Sequence, residues 1–398
     1  MRGSFPSSTL TDMDIEGSNP LLPQDIITNI LIRLPVKSLF RFQCVCKFWK
    51  NLFKTPSFIA EHLHHSSHQN PYLLFEDFCK SDLFRLCLLD DEMQILEVPT
   101  NPLFDVKGFC LWTLGSCNGL LCIGFFSSSL SLLVWNPATR EVRRLPRSIS
   151  YFEGKESYIG FGFSPIVDDY KIVKINAQED DDRVNEVKVY SLSIGSWKDV
   201  QFGNLDGVGI TSNGFCFNGA IFWIGYKIDL EEDEDEVGWI VSFDIAMEVF
   251  ALIPMPSSLF SIKNTPYSRY LTAHENKLAL LCHTLSGDFK SSLIHLWVME
   301  EGTCASRERW VWTKKYISSP YLGYLLVPVA IWRNQIVCIV ATSLSEPIDI
   351  IEDDEREFLL VNLTTYEFKV SDIRKSVLGH GIFNYSERLV PVGNIHTE

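Results

Sequence analysis

Residues 117–136 read CNGLLCIGFFSSSLSLLVWN, and the fold of most of the chain depends on the pattern in this stretch. Asn118-Gly119 is a strong short signal for a β-hairpin, because both residues tolerate the positive φ that a tight turn requires. An apolar run follows the turn, three serines interrupt it, and a second apolar run ends at Trp135-Asn136. The stretch therefore predicts two antiparallel strands joined by a polar loop.

The second of these strands recurs along the chain, each time with a large apolar residue near its end. The spacings between the aligned residues are 55, 53, 54 and 64, and a weaker copy ends at Leu89-Asp90. The aligned residues are Trp135, Tyr190, Phe243, Trp297 and Val361. A turn signal and an apolar strand precede each of these five copies, with the turns at Asn118-Gly119, Asp168-Asp169, Asn218-Gly219, Glu275-Asn276 and Asn334-Gln335.

Such a unit, with three or four antiparallel strands in about 50 residues, is typical of a propeller blade. Six copies predict a mainly β chain with a propeller of about six blades. A β-sandwich is the alternative, and it explains the strands but not their regular spacing. Circular closure commonly uses a strand from the opposite terminus, and we expect Arg388–Val392 to pair with the first blade.

Helical periodicity is concentrated near the beginning of the chain, in residues 22–58. Two apolar stripes at helical spacing indicate short helices, and Pro35 separates them. A segment of this length is too short to bury a core of its own. We therefore expect a second protein to cover part of its apolar surface. The alternatives are a helical cap that serves only its own chain, and a helix-turn-helix that binds DNA.

The order and spacing of the apolar residues in this segment resemble the signature of an F-box. The resemblance implies a helical module that docks on the Skp adaptor of a cullin–RING ubiquitin ligase, and through it on a cullin. It further implies a non-catalytic, SCF-type (Skp–cullin–F-box) substrate receptor that recruits a target protein for ubiquitination and degradation. The sequence patterns themselves predict no cofactor and no metal. The residues assigned to the adaptor are Leu22, Pro23, Ile26, Ile30, Leu31, Leu34, Pro35, Leu39, Val45, Cys46 and Trp49.

Motifs in the repeats resemble the F-box-associated domain of plant F-box proteins, a kelch-like family that includes the S-locus F-box proteins of pollen. These motifs are Asn118-Gly119-Leu-Leu-Cys122, Trp135-Asn136-Pro137-Ala-Thr139-Arg140, Gly160-Phe-Gly162-Phe and Asp169-Tyr170-Lys171-Ile-Val173. The family is large and its targets differ, so the resemblance leaves the target open. The expected division is a disordered N-terminal lead at 1–20, the F-box helical module at 21–62, a linker at 63–70 and the propeller at 71–395.

Charge is distributed unevenly around a net value of −15. Residues 21–54 contain six basic residues and one acidic residue, so the helical module is positive and the remainder is strongly negative. Binding of nucleic acid requires a broad cationic surface, which the overall acidity argues against. A basic module on an acidic body suits an acidic adaptor protein better.

Three acidic runs occupy the same place in the repeat, just before the strand that carries the aligned residue. They span residues 179–182, 231–236 and 352–355. Alternate hairpins of a blade emerge at opposite faces, so we expect the runs to share one face and to attract a basic protein substrate. The candidate substrate-binding residues are Glu231, Glu232, Asp233, Glu234, Asp235 and Glu236. The alternatives are solvated loop tips and calcium loops, although unbroken runs lack the alternating ligands of the latter.

Signals of catalysis are weak in this sequence. Gly115-Ser-Cys117-Asn-Gly119 has the outline of a nucleophile elbow, but an apolar strand follows where the elbow needs a helix. Gly160-x-Gly162 lacks the third glycine of a dinucleotide site. A propeller hydrolase with a helical cap remains the alternative function.

The compartment is inferred from what the sequence contains and lacks. Its 11 scattered cysteines are typical of a reducing compartment. No apolar run approaches the roughly 18 residues of a membrane span, and the first 20 residues lack a secretory signal. We expect a location in the cytoplasm or nucleus, without membrane contact.

Overall fold

A group of helices precedes a ring of six β-sheets in the computed structural model. The structure describes residues 22–69, 72–78, 84–90, 92, 94–97, 111–126, 130–148, 155–178, 182–228, 238–259, 268–285, 291–301, 310–318, 321–322, 325–341, 356–375, 382–390 and 392. The predicted lead at 1–20 lies outside these residues. The predicted class, mainly β with short N-terminal helices and a six-bladed propeller, is confirmed.

The helices are α1 (Gln24–Ile32), α2 (Val36–Phe42), α3 (Lys47–Leu52) and α4 (Pro56–Gln69). Side chains cap the last two of them. Cys46 Sγ accepts the Trp49 N–H at 3.4 Å ahead of α3, and Thr55 Oγ1 accepts the Phe58 N–H at 3.4 Å ahead of α4. Such acceptors satisfy backbone donors that have no partner within the helix. Residues 63–69, assigned above to a linker, continue α4, and the first strand begins at Tyr72.

The sheets follow one another along the chain as blades 1 to 6. Blade 1 contains β1 (Tyr72–Phe78), β2 (Phe84–Leu89) and β3 (Ile95–Glu97). Blade 2 contains β4 (Leu111–Cys117), β5 (Leu120–Phe126), β6 (Leu130–Asn136) and β7 (Glu141–Arg144). Blade 3 contains β8 (Lys155–Ser164), β9 (Asp169–Gln178), β10 (Val184–Ser191) and β11 (Ser196–Asp199).

The second half of the ring has two irregular blades. Blade 4 contains β12 (Val208–Ile210), β13 (Phe215–Phe217), β14 (Ala220–Lys227), β15 (Gly238–Asp244) and β16 (Val249–Pro254). Blade 5 contains β17 (Ser268–His274), β18 (Lys277–Leu285), β19 (Ser291–Glu301), β20 (Trp310–Ile317) and β21 (Tyr321–Leu322). Blade 6 contains β22 (Leu325–Trp332), β23 (Gln335–Ala341), β24 (Arg356–Asn362) and β25 (Phe368–Lys375). In blade 4, β12 and β13 both pair with β14, so the first strand is broken in two.

A strand from the C-terminal end completes blade 1 and closes the ring. β26 (Phe383–Tyr385) pairs antiparallel with β1, with Tyr72 opposite Tyr385 and Leu74 opposite Phe383. The prediction that a strand from the opposite terminus closes the ring is confirmed. The prediction that Arg388–Val392 forms this strand was wrong. Its apolar residue Leu389 is buried among the helices instead of joining a sheet.

The predicted repeat corresponds to the third strand of each blade. Its aligned residues lie on β6, β10, β15, β19 and β24, and all five are buried. The next residue often caps the turn to the fourth strand. Asn136 Oδ1 accepts the N–H groups of Ala138 and Thr139 at 3.0 and 3.3 Å, and Asp244 and Asn362 do the same in blades 4 and 6. The polar residue after the aligned position therefore fixes the turn geometry.

Tight turns join the first and second strands of the blades. Asn118 and Gly119 have φ values of 49° and 78°, and the Asn-Gly pair at 218–219 has nearly the same values. These predicted turns are confirmed. In blade 6 the pair with positive φ is Arg333-Asn334, one residue earlier than the turn signal at Asn334-Gln335.

The antiparallel order of the strands gives the ring two different faces. The turns between first and second strands and between third and fourth strands lie on one face, called here the turn face. The connections between second and third strands lie on the other, called the loop face. The chain enters β1 and leaves β26 on the turn face, so the helices lie on that side.

The innermost strands of the blades surround a central cavity of about 410 Å³. Residues of β4, β13, β17, β22 and β26 line it. Between the blades, apolar side chains from neighbouring sheets form the core, as in the cluster that joins Val173 of blade 3 to Trp223 of blade 4. Gly160 leaves room for this indole, because a Cβ there would collide with the Trp223 ring.

Two buried histidines in blade 5 predict a loss of stability in acid. His283 Nδ1 lies 2.5 Å from Ser268 Oγ, and His295 Nε2 lies 2.8 Å from Thr284 Oγ1. Burial lowers the pKa of each to about 4, and the charge of Lys314 contributes at His295. The folded pKa values lie below the unfolded value, so the stabilising contribution is complete above about pH 6.5 and is lost as pH falls toward 4.

The measurement compares the wild type with a His283→Gln/His295→Gln variant, so that effects of other titrating groups cancel. The difference in free energy of unfolding should change by about 2 to 4 kcal/mol between pH 7 and pH 4.5, in favour of the variant at acid pH. Urea unfolding at several pH values gives this difference. A difference that does not change with pH would show that these imidazoles titrate normally.

Candidate functional site

The helical module has a small core that it shares with the C-terminal end of the chain. Apolar side chains from the helices contact Leu389 and, less deeply, Ala138 on the turn between β6 and β7. The buried residues of the helices in this core are Leu31, Val36, Leu39, Phe53, Phe58 and Ile59. The module therefore packs on blade 2 at the turn face.

Several large apolar side chains of the module remain exposed. Ile26 and Ile30 lie one turn apart on α1 with 45% and 49% of their surface accessible, and Val45, ahead of α3, is 61% accessible. We call the full group the exposed apolar set: Leu22, Ile26, Ile30, Phe40, Val45 and Phe48. Six large apolar residues exposed within 27 positions are typical of a surface that binds another protein.

The residues predicted to bind the adaptor separate into two groups. Leu31 and Leu39 are 2% and 0% exposed, so they hold the helices together and cannot contact a partner in this conformation. Leu34 and Trp49 are partly buried against the same core. The structure leaves the remaining predicted residues accessible: Leu22, Pro23, Ile26, Ile30, Pro35, Val45 and Cys46. Their assignment to the adaptor stays a prediction, now restricted to side chains that can be reached.

The exposed apolar set also includes Phe40 and Phe48, which the sequence analysis did not assign. Phe40 follows directly after the buried Leu39 on α2, and Phe48 follows the exposed Lys47 on α3. One step along a helix turns a side chain by about 100°, so Phe40 points away from the core that holds Leu39. The helical pattern could have identified Phe40 in this way.

Charged residues accompany the exposed apolar set. All six basic residues of the module are exposed: Arg33, Lys37, Arg41, Lys47, Lys50 and Lys54. Asp25 is the only acidic residue between 22 and 54. An apolar surface flanked by cations favours an acidic protein partner, because complementary charge accelerates encounter and disfavours wrong partners.

A hydrogen bond and an aromatic contact position the helices relative to one another. His62 Nε2 donates to the Leu34 carbonyl oxygen at 2.9 Å, which connects α4 to the connection between α1 and α2. Burial lowers the pKa of His62, so the ring is neutral at physiological pH. Phe42 and Trp49 also contact each other, with ring centroids 5.5 Å apart.

The chain after β26 ties the module to the propeller, and we call residues 386–390 the tail segment. Glu387 Oε2 accepts the Val36 N–H at 3.0 Å, which satisfies a donor at the beginning of α2. Leu389 enters the core of the module. On the propeller side, Asn136 Nδ2 donates to the carbonyl oxygens of Arg388 and Val390 at 3.0 and 2.9 Å. The tail segment thus contacts both units at once.

Arg388 anchors the tail segment in the ring. Its guanidinium donates to the Tyr170 hydroxyl and lies 5.5 and 5.6 Å from the ring centroids of Phe163 and Tyr170. The backbone of the Asn-Gly turn of blade 2 touches the same segment, since a Cβ at Gly119 would collide with the Ser386 carbonyl oxygen. Glycine is required there both by this contact and by its positive φ.

The candidate substrate residues Glu231–Glu236 lie outside the described residues, as do 179–181 and 352–355. The strands that flank them are described. β9, β14 and β23 are the second strands of their blades and end at the loop face, opposite the helices. The position of the runs on one face therefore stays a prediction, in agreement with where these strands end.

No constellation for catalysis was found in the part of the chain that the structure describes. No group of three or more His, Cys, Asp or Glu side chains among these residues could hold a metal ion. Cys117 ends β4 and a tight turn leads directly into β5, so the outline of a nucleophile elbow belongs to a hairpin. Among the same residues, no helix is long and apolar enough to cross a membrane.

Comparison with known proteins assigns both parts of the chain. Residues 20–60 match the F-box domain, and residues 90–344 match the F-box associated beta propeller domain. This chain belongs to the family of F-box proteins with an F-box-associated propeller. The helical module is accordingly the F-box, and the exposed apolar set lies on it.

Relatives of this F-box protein occur in Arabidopsis thaliana. One F-box protein is 30% identical over 58% of this chain and 60% of its own length, and a second is 27% identical over 77% of this chain and 81% of its own. A puromycin-hydrolyzing peptidase from Mycobacterium tuberculosis aligns over 76% of this chain and 43% of its own with a TM-score of 0.40 and 14% identity. This chain therefore spans less than two thirds of the length of the first of these F-box relatives.

Proposed function

We propose that this F-box protein is the substrate-recognition subunit of an SCF-type ubiquitin ligase. The exposed apolar set docks on a Skp-type adaptor and thereby on a cullin. The propeller binds a target protein, which other subunits ubiquitinate for degradation. The chain itself performs no catalysis and needs no cofactor, and it acts where such ligases operate, in the cytoplasm or the nucleus.

The observation that carries this proposal is the exposure of Leu22, Ile26, Ile30 and Val45 on a folded F-box. A module that served only as a cap for its own propeller would bury these side chains, since each half-exposed aliphatic residue forgoes about half of the roughly 1.5 to 3 kcal/mol that full burial contributes. The positive charge of the module supports an acidic partner. The alternative of a DNA-binding module fits these features less well, because large exposed aliphatic side chains do not contact phosphates.

In this proposal the adaptor and the target bind on the sides of two different faces of the propeller. The F-box occupies the turn face at blade 2, so the adaptor approaches from that side. The loop face is free of the F-box and includes the strand ends that flank the three acidic runs. We propose that the target binds there, with a basic surface toward residues 231–236. A target held on the loop face leaves the adaptor surface accessible.

The experiment that tests the function is affinity capture of the tagged full-length chain from plant cells. The proteasome and the cullin are inhibited so that the target is retained. We expect a Skp-type adaptor and a cullin in the captured material, together with a target whose ubiquitination in a reconstituted reaction depends on this chain. Capture without adaptor and cullin would contradict the proposal.

Charge reversal tests the substrate face. Replacing Glu231, Glu232, Asp233, Glu234, Asp235 and Glu236 with lysine should weaken binding of the captured target by a factor of ten or more at low salt, because attraction becomes repulsion. The difference should shrink as added salt screens the charges. Adaptor binding of the same variant serves as the control and should not change. Equal target binding by both proteins at every salt concentration would exclude this site.

A further inference from the structure

Two cysteine sulfurs from different blades lie almost in contact near the central cavity. Cys117 Sγ, at the end of β4 in blade 2, is 3.4 Å from Cys216 Sγ on β13 in blade 4. The residues are 99 positions apart, so the fold alone brings them together. Both are free thiols. A disulfide has an S–S bond of about 2.05 Å, so the sulfurs need to approach by only about 1.4 Å to form one.

A glycine on blade 3, which lies between blades 2 and 4, makes room for the contact between the two cysteines. β8 of blade 3 carries Gly162, and a Cβ at this position would lie 2.9 Å from Cys216 Sγ and 2.7 Å from Ile245 Cδ1. The missing side chain lets Cys216 reach across blade 3 and pack in the core that contains Cys117. The Gly160-x-Gly162 motif, which does not fit a dinucleotide site, thus has a structural role here.

The two thiols differ in their accessibility and in their environment. Cys216 belongs to the wall of the central cavity, whereas Cys117 is buried behind it. The hydrogen bond between the two sulfurs lowers the pKa of Cys216, although burial opposes it, and the backbone N–H of Phe163 also lowers it. The thiolate is the form of cysteine that reacts with oxidants. Cys216 is therefore the sulfur that a small oxidant in the cavity meets first.

We infer that Cys117 and Cys216 form a peroxide-sensitive dithiol, which oxidation converts into a disulfide between blades 2 and 4. The Cys216 thiolate attacks one oxygen of hydrogen peroxide and the O–O bond breaks. The departing hydroxide takes up a proton to give water, and Cys216 becomes a sulfenic acid. The Cys117 sulfur then bonds to the Cys216 sulfur, the S–O bond breaks, and the hydroxyl leaves with the Cys117 proton as a second water.

The disulfide joins innermost strands that are far apart in the chain. A cross-link between residues about 100 positions apart restricts the unfolded chain strongly, so the melting temperature of the propeller should rise on oxidation by about 5 °C. Other buried thiols provide the contrast. Cys122 lies in the same core, and burial raises its pKa to about 12, which disfavours the reactive thiolate.

The test uses the folded full-length chain treated with hydrogen peroxide. Remaining thiols are alkylated after unfolding, and peptides from a digest without reductant are identified by mass spectrometry. We expect a peptide that links Cys117 to Cys216 and disappears on reduction. Cys44 and Cys46 are exposed and report that the oxidant was active. The variant Cys216→Ser should lose both the link and the rise in melting temperature, whereas the matched variant Cys122→Ser should keep them.

The wild-type result decides the inference even if a variant fails to fold. Alkylation of both Cys117 and Cys216 in a sample whose Cys44 or Cys46 is oxidised would overturn it. A link from Cys216 to any other cysteine would also overturn it, as would oxidation of Cys216 beyond sulfenic acid with Cys117 still reduced. None of these outcomes bears on adaptor binding, which depends on a different part of the chain.

Discussion

Replacing Val45 with aspartate is expected to lower the affinity for a Skp-type adaptor by a factor of 100 or more. Val45 has the most accessible side chain of the exposed apolar set, and docking would place the new carboxylate in an apolar interface without a partner. A loss of about 3 kcal/mol is the size expected when a hot-spot residue of an interface is replaced by an unpaired buried charge. The substitution at an exposed position should leave the helices and their melting unchanged, so calorimetric titration of the adaptor isolates the contact.

Matched variants separate docking from folding. Ile30→Asp should act like Val45→Asp, because Ile30 is 49% exposed on α1. Ile194→Asp is the control, since Ile194 is an exposed apolar residue on a propeller turn and outside the F-box. Leu39→Ala should also reduce binding, but with loss of helical melting, since Leu39 is in the core. Adaptor binding by Val45→Asp and Ile30→Asp as tight as that of the wild type would show that this surface is not the docking site.

Replacing Leu389 with aspartate is expected to release the F-box from the propeller. Leu389 is buried in the F-box core although it lies more than 300 positions away in the chain. A carboxylate there would lie among apolar side chains, and burial of an unpaired charge destabilises the module by about 3 kcal/mol or more. Hydrogen exchange of α1 to α4 should accelerate, while the strands of blades 3 to 6 keep their protection.

A conservative change at the same position is the control. Leu389→Met preserves volume and polarity and should change hydrogen exchange little. Unaltered exchange in all four helices of Leu389→Asp would contradict the role assigned to the tail segment. Acceleration throughout the propeller would show instead that the segment is part of the ring rather than a tie between two units.

The sequence was most informative where local rules are sufficient. Asn118-Gly119 needs only its own two residues to make a tight turn, and the aligned residue Trp135 lies on a third strand as the repeat predicts. Local patterning also located the helices on both sides of Pro35. In each case the deciding interactions connect residues close together in the chain.

The sequence was least informative where distant segments meet. Arg388–Val392 is an apolar segment near the C-terminal end, but the ring is closed by Phe383–Tyr385, and Leu389 is buried in the core of the F-box instead. A large separation along the chain likewise prevents the prediction of the contact between Cys117 and Cys216 and of the hydrogen bond between Glu387 and Val36. Among residues of the motif, the pattern could not separate Leu31, which is buried, from Ile30, which is exposed, because both fall on the same predicted apolar stripe of the first helix.

We propose the exposed apolar set of this F-box as the docking surface for a Skp-type adaptor. The most direct measurement is calorimetric titration of the purified full-length chain with a purified adaptor. We predict a 1:1 complex with a Kd of about 1 μM or tighter, a free energy near −8 kcal/mol, and a negative change in heat capacity from apolar burial. A folded chain that gives no binding at adaptor concentrations of about 100 μM would show that the exposed apolar set does not dock on this adaptor.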